Sequence, residues 1–225
     1  DKGSANKDIG HLSDLLRSWF EYHALDLPNP FAKLRFKGKT TGTVGLAFSE
    51  AFIRDRILAP SSLDGLNDEA RDVLLVMVNT GARPSEILGC ALEAWQLAGP
   101  VPYIDIAKQI PRVLKTAQSP RHIPLLGVSL DAAKRIVAKG GITHYLDDGD
   151  TWSATVNKYL SNNDLRETPK HTAYSLRHSF EDRMTEAAID DRIRAELMGH
   201  KYARPDYGRG GSLETRRKAI ERIAL

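Results

Sequence analysis

The 225-residue chain contains one cysteine, Cys90, so no internal disulfide can form and a disulfide-built scaffold is excluded. Neither Cys-x-x-Cys nor His-Glu-x-x-His occurs, which removes the strong sequence signals for structural zinc and for a zinc hydrolase. Long apolar runs are also missing. The most apolar stretch, Val73 to Val78, falls far short of the ~20 residues a membrane helix needs. The polar opening Asp1-Lys2-Gly3-Ser4 has no secretory character, so a cytoplasmic protein without membrane attachment is expected. The remainder is 41% hydrophobic, 27% charged and 7% aromatic. Those proportions are ordinary for a globular chain and exclude wholesale disorder or a collagen-like repeat.

Acid is absent from two stretches of the sequence, and this says more than the net charge of +3. Between Asp26 and Glu50 the only charges are Lys33, Arg35, Lys37 and Lys39, in a segment opening Leu27-Pro28-Asn29-Pro30. A second acid-free run, Lys108 to His122, carries Lys108, Arg112, Lys115 and Arg121. Uneven positive charge of this kind is expected of a surface that meets phosphates.

Apolar residues Ile9, Leu12, Leu15, Leu16, Trp19 and Phe20 recur at helical spacing behind the capping candidate Asn6, predicting an amphipathic helix over about residues 7–24. The proline pair and the basic run separate it from the rest, so residues 1–40 are read as a helix plus linker and 41–225 as the main domain. Asn67-Asp68-Glu69 opens a helix on the Val73–Val78 run and Gly81 closes it. Alternation then predicts strands over 101–107 and 121–125, with 112–116 a third between them, in a small antiparallel sheet. Ser129, Thr151, Thr172, Asp190 and Ser212 each stand where a helix N-cap belongs. The class is therefore α+β, mainly α.

Four segments carry chemistry. In Thr80-Gly81-Ala82-Arg83-Pro84-Ser85-Glu86-Ile87 an arginine stands where a glycine-ended helix meets a proline suited to the first turn of the next. Glu86 lies one turn on, able to orient the guanidinium for a bidentate phosphate contact. Arg112-Val113-Leu114-Lys115-Thr116 precedes Arg121-His122-Ile123-Pro124-Leu125. Tyr174-Ser175-Leu176-Arg177-His178 falls in a predicted helix. Leu197-Met198-Gly199-His200 ends another and is followed by Tyr202 and Tyr207.

Taken in this order, Arg-x-x-Glu, a lysine ahead of Arg-x-Ile-Pro-Leu, Leu-Arg-His, Gly-His and a later tyrosine resemble the tyrosine recombinase (phage integrase) family over about residues 45–210. The resemblance implies that family's catalytic fold, mainly helical with a small antiparallel sheet. It also implies DNA strand cleavage by tyrosine, giving a 3′-phosphotyrosine and a free 5′-hydroxyl, with no metal or other cofactor. Arg83 and Arg177 would clamp the non-bridging oxygens of the scissile phosphate, stabilising charge that grows in the transition state.

Lys115 would protonate the departing 5′-oxygen, with Lys108 the competing candidate. His200 would hydrogen-bond a non-bridging oxygen, Glu86 and His178 would support, and Tyr207 would be the nucleophile in preference to Tyr202, which lies too near the helix end. The family's histidine three residues before the second arginine is replaced by Tyr174, a phenol that donates to phosphate rather than an imidazole base; His171, one turn earlier, is a candidate substitute.

The expected function is site-specific recombination in phage or mobile-element integration and excision. Alternatives are a cleavage-deficient DNA-binding relative and a type IB topoisomerase-like enzyme. Expected partners are double-stranded DNA, met by Lys33, Arg35, Lys37, Lys39, Arg112 and Arg121, further copies of the chain in a tetramer on DNA, and an accessory DNA-bending protein. The resemblance further implies that residues 1–40 are the end of a core-binding module. The tail from Ser212 to Leu225 would dock either on a neighbouring subunit or back on its own domain.

Overall fold

The computed structural model describes residues 2–37, 45–109, 120–202 and 210–225, and the chain divides into two units, 1–44 and 45–225. In the first unit, helix α1 spans Lys2–Tyr22 and starts five residues before its expected position. Asn6 is not its cap. Its side chain instead accepts from Phe36 N at 2.8 Å and donates to Phe36 O at 3.2 Å, while Asn29 Nδ2 donates to Ser13 O at 2.8 Å, so two asparagines fold the following segment against the helix. Leu12, Leu15, Leu16, Trp19 and Phe31 line an apolar groove of about 440 Å³.

The second unit is organised around α3, Asp68–Thr80. Asn67 caps it by accepting from Ala70 N, and Gly81 ends it in the left-handed conformation at φ 57°, both as the sequence predicts. Val73, Leu74, Val76, Met77 and Val78 are completely buried, as befits a helix apolar on nearly every side. Four helices enclose it: α4 (Pro84–Leu88), α5 (Gly127–Ala138), α6 (Gly149–Asn162) and α7 (Ser175–Glu186). Ala132 and Ala133 let α5 approach closely, and Trp152, Phe180 and Met184 fill the remaining volume. Ahead of α3, a short α2 (Glu50–Phe52) runs into a π-helical turn over Ile53–Ile57.

Among the described residues the sheet has three antiparallel strands in the order β1 (Trp95–Gln96), β2 (Tyr103–Asp105), β3 (His122–Pro124). Ile104 pairs with Ile123 at its buried centre. The third strand is thus Trp95–Gln96, ahead of the predicted pair; the strand expected over 112–116 lies outside the described residues. Two expected caps are in place: Asp190 on α8 (Asp191–Met198) and Ser212 on α9 (Leu213–Glu221). The others shift. Asp148, rather than Thr151, caps α6. Tyr174, rather than Thr172, precedes α7. Ser129 lies inside α5, where its buried hydroxyl accepts from Asn79 N at 3.0 Å and donates toward Leu75 O and Val76 O.

The tail packs on its own domain. Ile220 and Ile223 join the core, and the chain end is fastened by Asn79, whose Nδ2 donates to Leu225 O at 2.7 Å and Leu126 O at 3.1 Å while its Oδ1 accepts from Leu225 N at 3.0 Å. Buried Arg183 adds bonds to Ile223 O at 2.5 Å and to Val78 O. Asn79→Ala leaves these backbone groups unpaired, each costing about 1–3 kcal/mol. Urea unfolding should show a lowered midpoint, and hydrogen exchange should show Leu225 losing protection before α3 does.

Candidate active site

The geometry starts at the corner between α3 and α4. A side chain at Gly81 would need a strained positive φ and would place its Cβ 2.4 Å from the Phe180 ring, so the turn is both left-handed and pressed against α7. Pro84 begins α4 and Arg83 is its N-cap residue. Glu86, one turn in, accepts from Arg83 N at 2.8 Å and from Arg83 Nη1 at 2.7 Å. The guanidinium is thereby held by a carboxylate that also caps the helix, as the spacing predicts.

Arg121 completes this arrangement in a way the sequence does not disclose. Its Nη2 and Nη1 donate to the two oxygens of Glu86 at 2.8 and 3.1 Å, and its Nε donates to Leu197 O at 2.8 Å. With its side chain only 3% exposed, Arg121 is not the DNA-surface contact expected of it. The correction has a simple cause: the β-strand alternation that buries Ile123 turns the Arg121 side chain inward as well. Burial by itself would raise the Glu86 carboxyl, but the hydrogen bonds and charge of Arg121, followed by those of Arg83, bring it down to about 2.

Arg177, on α7, reaches the same corner from the other side. Nη1 donates to Gly81 O at 2.5 Å, and Nη2 donates to Met198 O at 2.7 Å and to His200 Nε2 at 3.0 Å. Desolvation, then the nearby charge of Arg83, lowers this guanidinium to about 10, which leaves it cationic at neutral pH. His200 arrives through the α8 C-cap: Gly199 is left-handed at φ 62°, and His200 N donates to Ala195 O at 2.9 Å. Burial, then the charge of Arg177, moves the imidazole below its usual pKa. A neutral ring accepting at Nε2 carries its proton on Nδ1.

Tyr174 stands at the start of α7, 41% exposed, with its ring edge-on to His178 at 5.4 Å. It shares a cleft of about 470 Å³ with Arg83, Pro84, Ser85, Ser153 and the acidic segment 147–150. That acidic wall is the part of the site that spacing alone does not reveal; Asp147 holds a positive φ of 54° there. His178 lies under the backbone of Gly45, where a Cβ would come within 2.2 Å of its ring.

His171 is withdrawn from the chemistry. It is buried, accepting at Nδ1 from Thr168 N at 3.1 Å and bonding Ala47 O through Nε2 at 2.9 Å. Lys108 is exposed, its ammonium 3.4 Å from Glu93 O. Lys33, Arg35 and Lys37 are exposed in the first unit. Lys39, Arg112, Lys115 and Tyr207 lie outside the described residues. Among the described residues, no group of three His, Cys, Asp or Glu side chains is placed to hold a metal, and no helix is long and apolar enough to cross a membrane.

No family model matches this sequence, and no curated protein is similar to it in sequence. Solved structures do match in fold. An integrase from mycobacterium phage Brujita superposes with a TM-score of 0.58 at 18% identity, covering 99% of this chain and 72% of that one. The Tn1549 transposon integrase, solved in complex with circular intermediate DNA, gives 0.58 at 16% identity over 100% of this chain and 76% of its own. XerA recombinase gives 0.51 at 14% identity, covering 98% and 71%. The chain has the fold of a tyrosine recombinase catalytic domain.

Two pH effects follow from the site. Because Glu86 is lowered from 4.5 to about 2, the unfolded state binds the extra proton; its contribution to stability is complete above pH 4.5 and lost as pH falls toward 2. Glu86→Gln should remove that portion of the acid transition and, by taking the carboxylate away from buried Arg121 and part-buried Arg83, cost about 3–5 kcal/mol at neutral pH, read by urea unfolding across pH. For His200 the lowered pKa likewise means stability present above 6.5 and lost as pH falls below it. NMR titration should place the ring below 6.5, with Nδ1 protonated in the neutral form.

Proposed function

We propose that this protein is a tyrosine site-specific recombinase acting in phage or mobile-element integration and excision. The observation that carries the reading is the Arg83–Arg177–His200 cluster. Residues drawn from positions 83, 177 and 200 meet at one corner, where Arg177 bonds Gly81 O and His200 together, in a fold shared with integrases and recombinases. Two guanidiniums with an imidazole beside them make a set of groups able to bond the oxygens of one phosphate. They act most strongly on the pentacoordinate transition state, where charge accumulates.

In this reading the Tyr207 phenol gives up its proton to solvent as its oxygen attacks phosphorus, the bond from phosphorus to the 5′-oxygen breaks, and Lys115 gives that oxygen its proton. The 3′-phosphotyrosine is resolved when a 5′-hydroxyl attacks it and returns its proton to Lys115, while the bond from phosphorus to the Tyr207 oxygen breaks and the phenolate takes a proton back from solvent. Tyr174, beside Arg83 in the cleft, positions the phosphate by hydrogen bonding. Glu86 supports Arg83, and His178 supports the α7 start. Lys33, Arg35, Lys37, Lys39 and Arg112 contact the DNA backbone. Residues 1–40 are the end of a core-binding module, and strand exchange takes place in a tetramer with an accessory bending protein. No cofactor takes part.

The deciding experiment incubates the chain with nicked and supercoiled DNA without metal. A denaturant-stable covalent adduct mapping to Tyr207, absent from Tyr207→Phe, is expected. Adduct on another residue, or none while binding is retained, overturns the assignment and favours a cleavage-deficient DNA binder; relaxation without exchange at a fixed site favours a topoisomerase. Arg177→Ala should slow adduct formation by about 10²–10³-fold, in line with loss of one oxyanion donor. Tyr174→Phe should slow it while Tyr174→His retains it, measured as single-turnover rates. DNA affinity should fall steeply with salt.

A further inference from the structure

We propose that Arg121 is a positioning residue that holds the phosphate-facing arginine and the histidine-bearing helix end in register with each other, an inference that rests on the reading of the Arg83–Arg177–His200 cluster as the reaction site. The guanidinium sits between two parts of that site. On one side its two Nη donate to both oxygens of Glu86 at 2.8 and 3.1 Å, and the same carboxylate holds Arg83 Nη1 at 2.7 Å. On the other side its Nε donates to Leu197 O at 2.8 Å, two residues before Gly199 and three before His200.

The fit at Gly199 is tight. A Cβ there would approach Arg121 Nη1 to 2.7 Å and Cζ to 3.0 Å, so the guanidinium packs directly against the turn that delivers His200. Arg121 therefore sets how far the α8 end stands from the α4 start. Its backbone is fixed in turn, because Arg121 O accepts from Ile106 N at 2.9 Å at the end of the β2–β3 ladder.

A planar fork is needed for this task. Two parallel bonds to a carboxylate fix the angle of Glu86, and the third donor lies in the same plane for Leu197 O. A lysine ammonium supplies charge but cannot span both acceptors in fixed geometry. A neutral side chain would leave Glu86 held by Arg83 N and Nη1 alone, with no bond tying the carboxylate to the α8 end. The strand pairing and apolar core do not require the guanidinium, since Ile123 and Leu125 supply the burial on β3.

Two measurements on the full chain test this. The first is independent of activity: NMR of the arginine side chains, with Arg83 assigned through Arg83→Lys. Slow guanidinium rotation of Arg83 is expected in the unmodified protein, with averaging to fast rotation in Arg121→Met and in Arg121→Lys. An Arg83 signal unchanged in a folded Arg121 variant overturns the proposal. The second is a cycle of single-turnover cleavage rates. Arg121→Met should lower the rate about 10–100-fold with DNA affinity within about threefold, the size expected when a catalytic group is slightly misplaced. In an Arg83→Gln background the same change should cost at least about threefold less, because only the placement of His200 then remains to be lost. Equal losses in both backgrounds overturn the proposal. An unmodified protein that forms no adduct at all fails the recombinase reading instead, while the NMR result still decides whether Arg121 holds Arg83. Should Arg121→Met unfold, Arg121→Lys carries both measurements.

Discussion

The Glu86 carboxylate, shared between Arg83 and Arg121, is the interaction on which the site depends. Two guanidiniums brought near Arg177 in a half-buried corner repel one another, and the desolvation cost of each is high. One carboxylate that accepts from Arg83 N, Arg83 Nη1 and both Nη of Arg121 offsets that repulsion and supplies geometry as well as charge. It stays ionised because the cations around it outweigh its burial. The site thereby keeps an excess of positive charge without drifting apart.

Around that ion group the fold is a set of corners pinned by backbone carbonyls. Arg177 takes Gly81 O and Met198 O, Arg121 takes Leu197 O, and Arg183 takes Ile223 O and Val78 O. Each is a helix-end or tail carbonyl with no partner in its own helix. Buried arginines here do what caps do elsewhere, and they tie α3, α8 and the tail to α7. Such bonds are directional, so they specify where helix ends stand in a way the apolar core around α3 does not.

The same economy of carbonyl partners separates the histidines. His200 is exposed at a helix end with Arg177 on its Nε2, so the proton of its neutral ring is on Nδ1. His171 has both nitrogens engaged beneath the surface, and that removes it as a replacement for the imidazole that Tyr174 displaces. The cleft beside Arg83 is thus built from a phenol and an acidic segment rather than from a second imidazole.

Local chemistry determined a good deal of this protein from sequence alone. Asn67 and Gly81 bounded α3, Asp190 and Ser212 capped their helices, and the Arg83–Glu86 pair was legible because caps, turns and i,i+3 spacing act within a few residues, whereas Arg177 and His200 stood out only through the ordered resemblance of their segments to the tyrosine recombinase family. What depended on partners far along the chain was not legible. The strand at Trp95–Gln96 is too short for alternation to register, and Asn6 was claimed by Phe36 rather than by its own helix. The tail could equally have docked elsewhere until Asn79 and Arg183 engaged it. Arg121 read as one more surface cation in a basic run. Only the tertiary structure, by placing Glu86 and Leu197 within reach of an inward-facing strand position, turned it into a buried support, because the free energy of a guanidinium depends on which acceptors surround it and not on its neighbours in sequence.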